Sequence, residues 1–101
     1  MVKFTEEDRK WLEAHKAEKT SLENQESEKF EIVIVDNRVK LVIENSPYNN
    51  NFEVCIVSQY MNNIRAYGRD MFKTIQLCFD YWRRAKTKIN QNEVALMDYQ
   101  I

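Results

Sequence analysis

FEIVIVDNRVKLVI, residues 30–43, is the stretch of sequence that decides the fold. Two runs of mostly aliphatic residues flank Asp36 and Asn37, and both of these residue types tolerate the positive φ angles of a two-residue turn. With Val35 opposite Arg38, one face of the predicted hairpin is wholly apolar and the other is mixed. The pairs on the apolar face are Ile34 with Val39, Ile32 with Leu41, and Phe30 with Ile43. The pattern therefore predicts an antiparallel hairpin that buries one side.

A third strand is predicted after this hairpin. Residues 44–51 contain the only proline and three consecutive asparagines, which interrupt the apolar pattern. FEVCIVSQY, residues 52–60, then alternates and places Phe52, Val54 and Ile56 on the inner face. Residues 61–69 are ambiguous, and Gly68 is interpreted as the bend into a second helix.

The N-terminal region begins with a helix signal. Thr5 is a typical N-cap, and the acids that follow it suit a capping box and the positive end of the helix dipole. From Glu6 onward, Trp11, His15 and Leu22 recur on one face of a helix. Residues 17–29 are mostly Glu, Lys, Ser and Asn, so this part is either an exposed helical extension or a linker.

MFKTIQLCFDYWRRAKTK, residues 71–88, suits either a core helix or a nucleic-acid reader. Its apolar residues fall within about half of the helix circumference, so we expect them to face the sheet, with Asp70 as N-cap. Trp82 is then a core anchor rather than a platform for stacking bases. We expect Asp80 to pair with Arg83 or Arg84 on the outer face. The outer face carries Lys73, Gln76, Asp80, Arg83, Arg84 and Lys88.

Together these elements predict one α+β domain over residues 1–101, with a three-stranded antiparallel sheet between an N-terminal helix and a C-terminal amphipathic helix. A fourth strand from the tail is the alternative. The expected divisions are 1–29 (helix and polar extension), 30–60 (sheet), 70–89 (amphipathic helix) and 90–101 (tail or short strand). The predicted core is Phe30, Ile32, Ile34, Leu41, Ile43, Phe52, Val54, Ile56, Phe72, Ile75, Phe79 and Trp82. Truncating Phe79 or Trp82 to alanine is expected to cost about 3–5 kcal/mol each.

The composition argues against several function classes. One histidine, one glycine and no metal-type spacing of Cys and His leave no zinc site, phosphate loop or dinucleotide site, so we expect no metal and no cofactor. Cys55 and Cys78 lie in apolar patterns and are interpreted as reduced core thiols. His15 is interpreted as a packed, structural residue beside Trp11. The prediction is a non-catalytic protein, cytoplasmic and without a signal peptide or membrane span.

Charge is distributed unevenly along a chain whose net charge is -1. Residues 1–31 contain six basic and nine acidic residues, a net of -3, while residues 65–88 contain seven basic and two acidic residues, a net of +5. This distribution suggests two groups of charged residues that are candidates for binding a partner. The alternative interpretation is a small domain whose charges only keep it soluble. The acidic segment comprises Glu23, Glu26, Glu28 and Glu31. The basic helix face comprises Lys73, Arg83, Arg84 and Lys88.

Trp82-Arg83-Arg84-Ala85-Lys86, preceded by aromatic residues, resembles a helix of small proteins from phages of Gram-positive bacteria, including some anti-CRISPR proteins. The resemblance covers this one helix. It implies a small stoichiometric inhibitor, acting in the cytoplasm of the host cell, that occupies a functional surface of a host defence nuclease or nucleic-acid-guided complex. A protein partner is thus preferred to nucleic acid, and the oligomeric state stays open.

The alternative function comes from the predicted order of elements. Helix, three antiparallel strands and helix is similar to the order in a double-stranded-RNA-binding domain, a family that reads A-form shape through lysines at the start of its second helix. Arg69 and Lys73 occupy that position in this sequence. The likeness is one of topology, and a fold does not determine a function.

Overall fold

The described residues form two helices and five strands. The computed structural model describes residues 1–35, 39–46, 48–59 and 62–90, with side chains as far as residue 85 except that of Val35. The elements in chain order are α1 (Glu6–Ala14), β1 (Glu18–Lys19), β2 (Lys29–Val35), β3 (Val39–Asn45), β4 (Phe52–Ser58), β5 (Ile64–Gly68) and α2 (Met71–Asn90). The α+β class is therefore confirmed.

The sheet is an antiparallel meander in the order β1-β2-β3-β4-β5. The sequence predicts three or four strands, and this count is too low. The two additional strands are β1, in the polar extension, and β5, in the segment that was ambiguous. Both are short, so they depend on backbone pairing with a longer neighbour and carry little periodicity of their own. The fourth strand predicted in the tail falls on residues that, beyond position 90, lie outside the described part of the chain.

The β2–β3 hairpin has the predicted register over most of its length. Phe30 pairs with Ile43 and Ile32 with Leu41, as expected. Closer to the turn, Val35 rather than Ile34 pairs with Val39, because the register shifts between Val33 and Val35. Such a bulge gives one strand an extra residue and bends it locally. The predicted pair of Val35 with Arg38 falls on the turn, residues 36–38, which lies outside the described residues.

Helix α1 begins where the sequence predicts, but it ends before the last residue of the apolar pattern, Leu22. The Thr5 backbone N–H donates to Asp8 Oδ2 at 2.9 Å, and the Asp8 N–H donates to Thr5 Oγ1 at 3.0 Å, which completes a capping box. The helix ends at Ala14, and Lys16 has a φ of 56°. Leu22 is therefore not on the helix; it is 65% exposed.

Helix α2 begins directly after β5. The Lys73 backbone N–H donates to Asp70 Oδ1 at 2.9 Å, which confirms the predicted cap. Gly68 is the last residue of β5 rather than a bend with positive φ. Its lack of a side chain matters for packing, because a β-carbon there would collide with Thr74 Oγ1. That hydroxyl donates to the Asp70 carbonyl oxygen at 2.6 Å, so Thr74 is held in place.

The core lies between one face of the sheet and the two helices. Eight of the predicted core residues are buried, whereas Phe30, Ile34, Phe72 and Phe79 are only partly buried and pack at its margin. Helix α2 packs on β4 and β5, and α1 contacts α2 through the edge-to-face pair of Trp11 with Phe72. The buried residues that the predicted core omitted are Phe4, Leu12, Val39, Ala66, Met71 and Cys78.

Both cysteines are free and buried, in line with the sequence interpretation. Cys78 lies on the side of α2 that packs against the sheet, and its thiol donates to the carbonyl oxygens of Val54 and Ile64 at 3.5 and 3.4 Å. Burial raises the pKa of Cys78 to about 12. Among the described residues, neither helix combines the length and apolar character that a membrane span needs.

Candidate functional site

The acidic segment is divided by the structure into paired and exposed members. Glu28 accepts two hydrogen bonds from the Arg9 guanidinium, at 3.0 and 2.6 Å, and lies 3.4 Å from Lys19 Nζ. The hydrogen bonds from Arg9 are the main cause that lowers the pKa of Glu28. Glu31 lies 3.8 Å from Lys40 Nζ. These two carboxylates are therefore largely neutralised by cations of the same chain.

The other two members of the acidic segment are more available. Glu23 and Glu26 are exposed in the connection between β1 and β2, and neither forms an ion pair with another described residue. A surface that mimics nucleic-acid phosphates needs several uncompensated charges close together. The described residues provide two such carboxylates here rather than four.

The basic helix face is also divided. Lys73 and Arg84 lie about 20° apart around the axis of α2, on one flank of the helix. Lys73 borders the end of β5, and Arg84 lies over the Tyr81 ring at 5.8 Å. Arg83 lies on the other flank, over the Phe79 ring at 5.8 Å, and its Nη1 is 3.2 Å from Asp80 Oδ1. The side chain of Lys88 lies outside the described residues. Of the two partners expected for Asp80, Arg83 or Arg84, the structure shows Arg83.

A larger surface is the face of the sheet that the helices leave uncovered, which we call the open face. Val33 is 51% exposed there, and Val42 and Val57 are half-buried beside it. The sequence anticipated a mixed face with Val33, Val35 and Val42. It did not place β4 and β5 next to these residues, so Val57 and Tyr67 were missed.

The charged residues of the open face are largely paired with one another. Besides Glu31 with Lys40, Arg65 Nε lies 3.2 Å from Glu53 Oε1, and the Tyr67 hydroxyl donates to the same carboxylate at 3.3 Å. The negative charge of Glu53 raises the pKa of Tyr67. In the sheet register Lys40 lies between Val33 and Val57, so the open face mixes apolar and charged side chains, as protein interfaces do.

A concavity of about 220 Å³ lies on the open face. Its floor holds Cys55, which is 8% exposed, and burial raises the pKa of this thiol. A protonated thiol is a poor nucleophile, so the floor is suited to contact rather than to covalent chemistry. The residues that line the concavity are Lys29, Val42, Glu44, Glu53, Cys55, Val57, Asn63 and Arg65.

The histidine takes part in local packing. The His15 ring stacks on Trp11 with centroids 4.1 Å apart, and its Nδ1 donates to the Trp11 carbonyl oxygen at 2.8 Å. In the described part of the chain, no group of three or more His, Cys, Asp or Glu side chains is placed to hold a metal ion.

Comparison with protein-family models, with curated proteins and with solved structures finds no match to this chain. The functional argument therefore depends on the surfaces described above.

Proposed function

We propose that this chain is a small, non-catalytic binding protein that holds a protein partner on the open face of its sheet. One observation carries the proposal: both helices pack on the same face, and the other face combines the exposed Val33 and the half-buried Val42 and Val57 with ion-paired charges. Charges that are already paired need little rearrangement on binding, while burial of the valine side chains supplies the free energy of association.

The narrower form of the proposal is an inhibitor encoded by a phage. In this form the protein acts in the cytoplasm of the host cell and occupies a functional surface of a host defence nuclease or nucleic-acid-guided complex. The resemblance of the helix around Trp82 to anti-CRISPR proteins supports it. Glu23 and Glu26, exposed beside the sheet, would add contacts to a basic cleft of such a partner.

The proposal is tested by capture from a lysate of the native host, followed by titration with the purified partner. Val33→Glu places a charge at the centre of the open face, on a side chain that is already exposed, so the fold should tolerate it. We expect this variant to lose at least about tenfold in affinity. The matched control Arg83→Glu on α2 should bind within about twofold of the parent chain, and Glu26→Lys, in the acidic segment, should weaken binding by less than Val33→Glu does.

The control variants also define the results that would contradict the proposal. If Glu26→Lys weakens binding while Val33→Glu does not, the acidic segment is the contact surface and the open face is not. If only nucleic acid is recovered, the protein-binding proposal fails. For the double-stranded-RNA-binding alternative, we expect a dissociation constant no tighter than about 10⁻⁵ M at physiological salt, which is the nonspecific range.

A further inference from the structure

Strand β5 is an edge strand within the described part of the chain. It pairs with β4 on one side, from Ile56 opposite Ile64 to Phe52 opposite Gly68, without a shift of register. In an antiparallel strand the backbone N–H and C=O groups of alternate residues point away from the paired neighbour. Such an edge is a template for another strand unless proline, a bulge or charge blocks it. The sequence of β5, IRAYG, has no proline, and Arg65 is its only charged residue.

Helix α2 forms a wall beside this edge. Lys73 and Leu77 border the end of β5, and Tyr81 and Arg84 continue the same flank of α2 at helical spacing. A concavity of about 310 Å³ lies between the first turns of this flank and the end of β5. It is bordered by Tyr67 and Gly68 of the strand and by Lys73 and Leu77 of the helix.

The groove is apolar along its centre and positive along its rim. Leu77 is half-buried and Tyr81 is 39% exposed, so both offer carbon surface to a bound chain. Arg69, Lys73 and Arg84 are exposed around them. Two acids lie near these cations: Asp70 uses its Oδ1 to accept the N–H of Lys73 at the start of the helix, and Asp80, four residues before Arg84, pairs with Arg83, so they offset the positive charge only in part.

We propose that the groove between β5 and α2 binds an extended acidic segment of a partner protein, which adds to the sheet as a strand beside β5. Main-chain hydrogen bonds to β5 would supply affinity without regard to sequence, and side chains on one face of the added strand would contact the helix flank. Side chains two residues apart share a face, so a segment whose helix-facing side chains are in turn carboxylates and small apolar groups fits the cations of the rim and the Leu77–Tyr81 surface.

This inference is independent of the open face. A bound strand would lie beyond the edge of the sheet, whereas the open-face contact is centred on Val33 and Val42, on β2 and β3. A single chain that uses both surfaces could hold two segments of one partner. The two proposals can therefore fail separately.

The test uses the full-length chain and a short fluorophore-labelled peptide, the Glu–Val peptide, whose repeat is Glu-Thr-Val-Thr, so that one face of the strand carries Glu and Val in turn. We expect the anisotropy of the peptide to report binding, and the amide protons of Ile64–Gly68 that point away from β4 to exchange more slowly with deuterium in the complex. The double variant Lys73→Glu/Arg84→Glu should weaken binding by at least about tenfold. Arg83→Glu, on the opposite flank of α2, is the matched control and should bind within about twofold.

Two further peptides separate charge from backbone pairing. The same peptide with Lys in place of Glu should bind at least about tenfold more weakly, because the rim repels it. A peptide with N-methylated valines keeps the charge but lacks the N–H donors of a strand, and it should also bind at least about tenfold more weakly. Equal binding of either peptide would overturn the proposal, as would failure of the Glu–Val peptide to bind.

Other occupants of the groove are distinguished in the same experiment. Slow exchange, before peptide is added, of the β5 amides that point away from β4 would show that this chain already fills the edge, alone or as a second copy, and would overturn the proposal. Displacement of the peptide by oligouridine would assign the groove to nucleic acid and also overturn it. Val33→Glu should leave peptide binding unchanged, so a failure here leaves the open-face proposal intact.

Discussion

The two faces of the sheet differ sharply although the same strands form both. On β4, Phe52, Val54 and Ile56 are at most 1% exposed beneath the helices. The residues between them face the other way and meet charges, as Glu53 does with Arg65 at 3.2 Å. The covered face is uniformly apolar, while the open face alternates valines with ion pairs. The alternation of residues along each strand decides which face is apolar, and the helices cover that face and leave the other as a candidate binding surface.

The largest expected effect is on the covered face. Trp82→Ala should lower the free energy of unfolding by about 3–5 kcal/mol, because Trp82 is 2% exposed and its loss leaves a large cavity. Phe79→Ala should cost less, about 1–2 kcal/mol, since Phe79 is only partly buried and borders the core. Urea denaturation of both variants measures the difference. Equal losses would show that the margin of the core is as tightly packed as its centre.

A matched pair of valines on one strand compares the faces directly. Val54→Ala removes methyl groups from a fully buried site and should cost about 2–3 kcal/mol. Val57→Ala, three residues later on the open face, should cost less than about 1 kcal/mol. Urea denaturation of both variants, fitted with the same m-value, measures the two losses of unfolding free energy. If Val57→Ala is as costly as Val54→Ala, the open face is a second core and the proposed contact surface is wrong.

The junction of the covered face with α2 provides a third comparison. Gly68→Ala forces a β-carbon against Thr74 Oγ1 and should destabilise the protein by about 1–3 kcal/mol. Removing the obstacle in the double variant Gly68→Ala/Thr74→Ala should recover part of this loss, so that the two single effects do not add. Thermal or urea unfolding of the three variants measures the coupling. Strict additivity would contradict the close approach of β5 and α2.

The smallest expected effect is electrostatic and depends on pH. The hydrogen bonds from Arg9 lower the pKa of Glu28 in the folded protein, so its stabilising contribution is complete above about pH 4.5 and is lost as the pH falls through the lowered value. Both side chains are partly exposed, so Glu28→Gln should cost no more than about 1 kcal/mol at neutral pH. The difference in unfolding free energy between Glu28→Gln and the parent chain should become smaller as the pH falls below about 4.5.

The control for this experiment lies on the open face. Glu31→Gln breaks the longer contact with Lys40, at 3.8 Å, and should change the urea midpoint less than Glu28→Gln does. Urea titrations from neutral pH to about pH 3 measure both variants. A difference for Glu28→Gln that stays constant over this range would show that the carboxylate does not stabilise the fold through its charge.

The candidate surfaces were only partly predictable from sequence. The period of two along residues 30–43 showed that one face of the hairpin is mixed, which anticipates Val33 and Val42 on the open face. The basic helix face was expected to act as one stripe, whereas the fold places Lys73 beside β5 and Arg83 beside Asp80. Which helix flank borders an edge strand depends on packing between distant segments, and local spacing carries no signal for it.

The sequence by itself determined the α+β class, the β2–β3 pairing away from the turn, the inner face of β4 and the caps of both helices. Each of these depends on contacts between residues close in the chain or on a period of two or 3.6 residues. Only the tertiary structure decided that β1 and β5 join the sheet, that Phe4 enters the core and that Glu28 is neutralised by Arg9. The free energy of these contacts comes from partners that the fold alone brings together, so a short polar segment does not reveal them in advance.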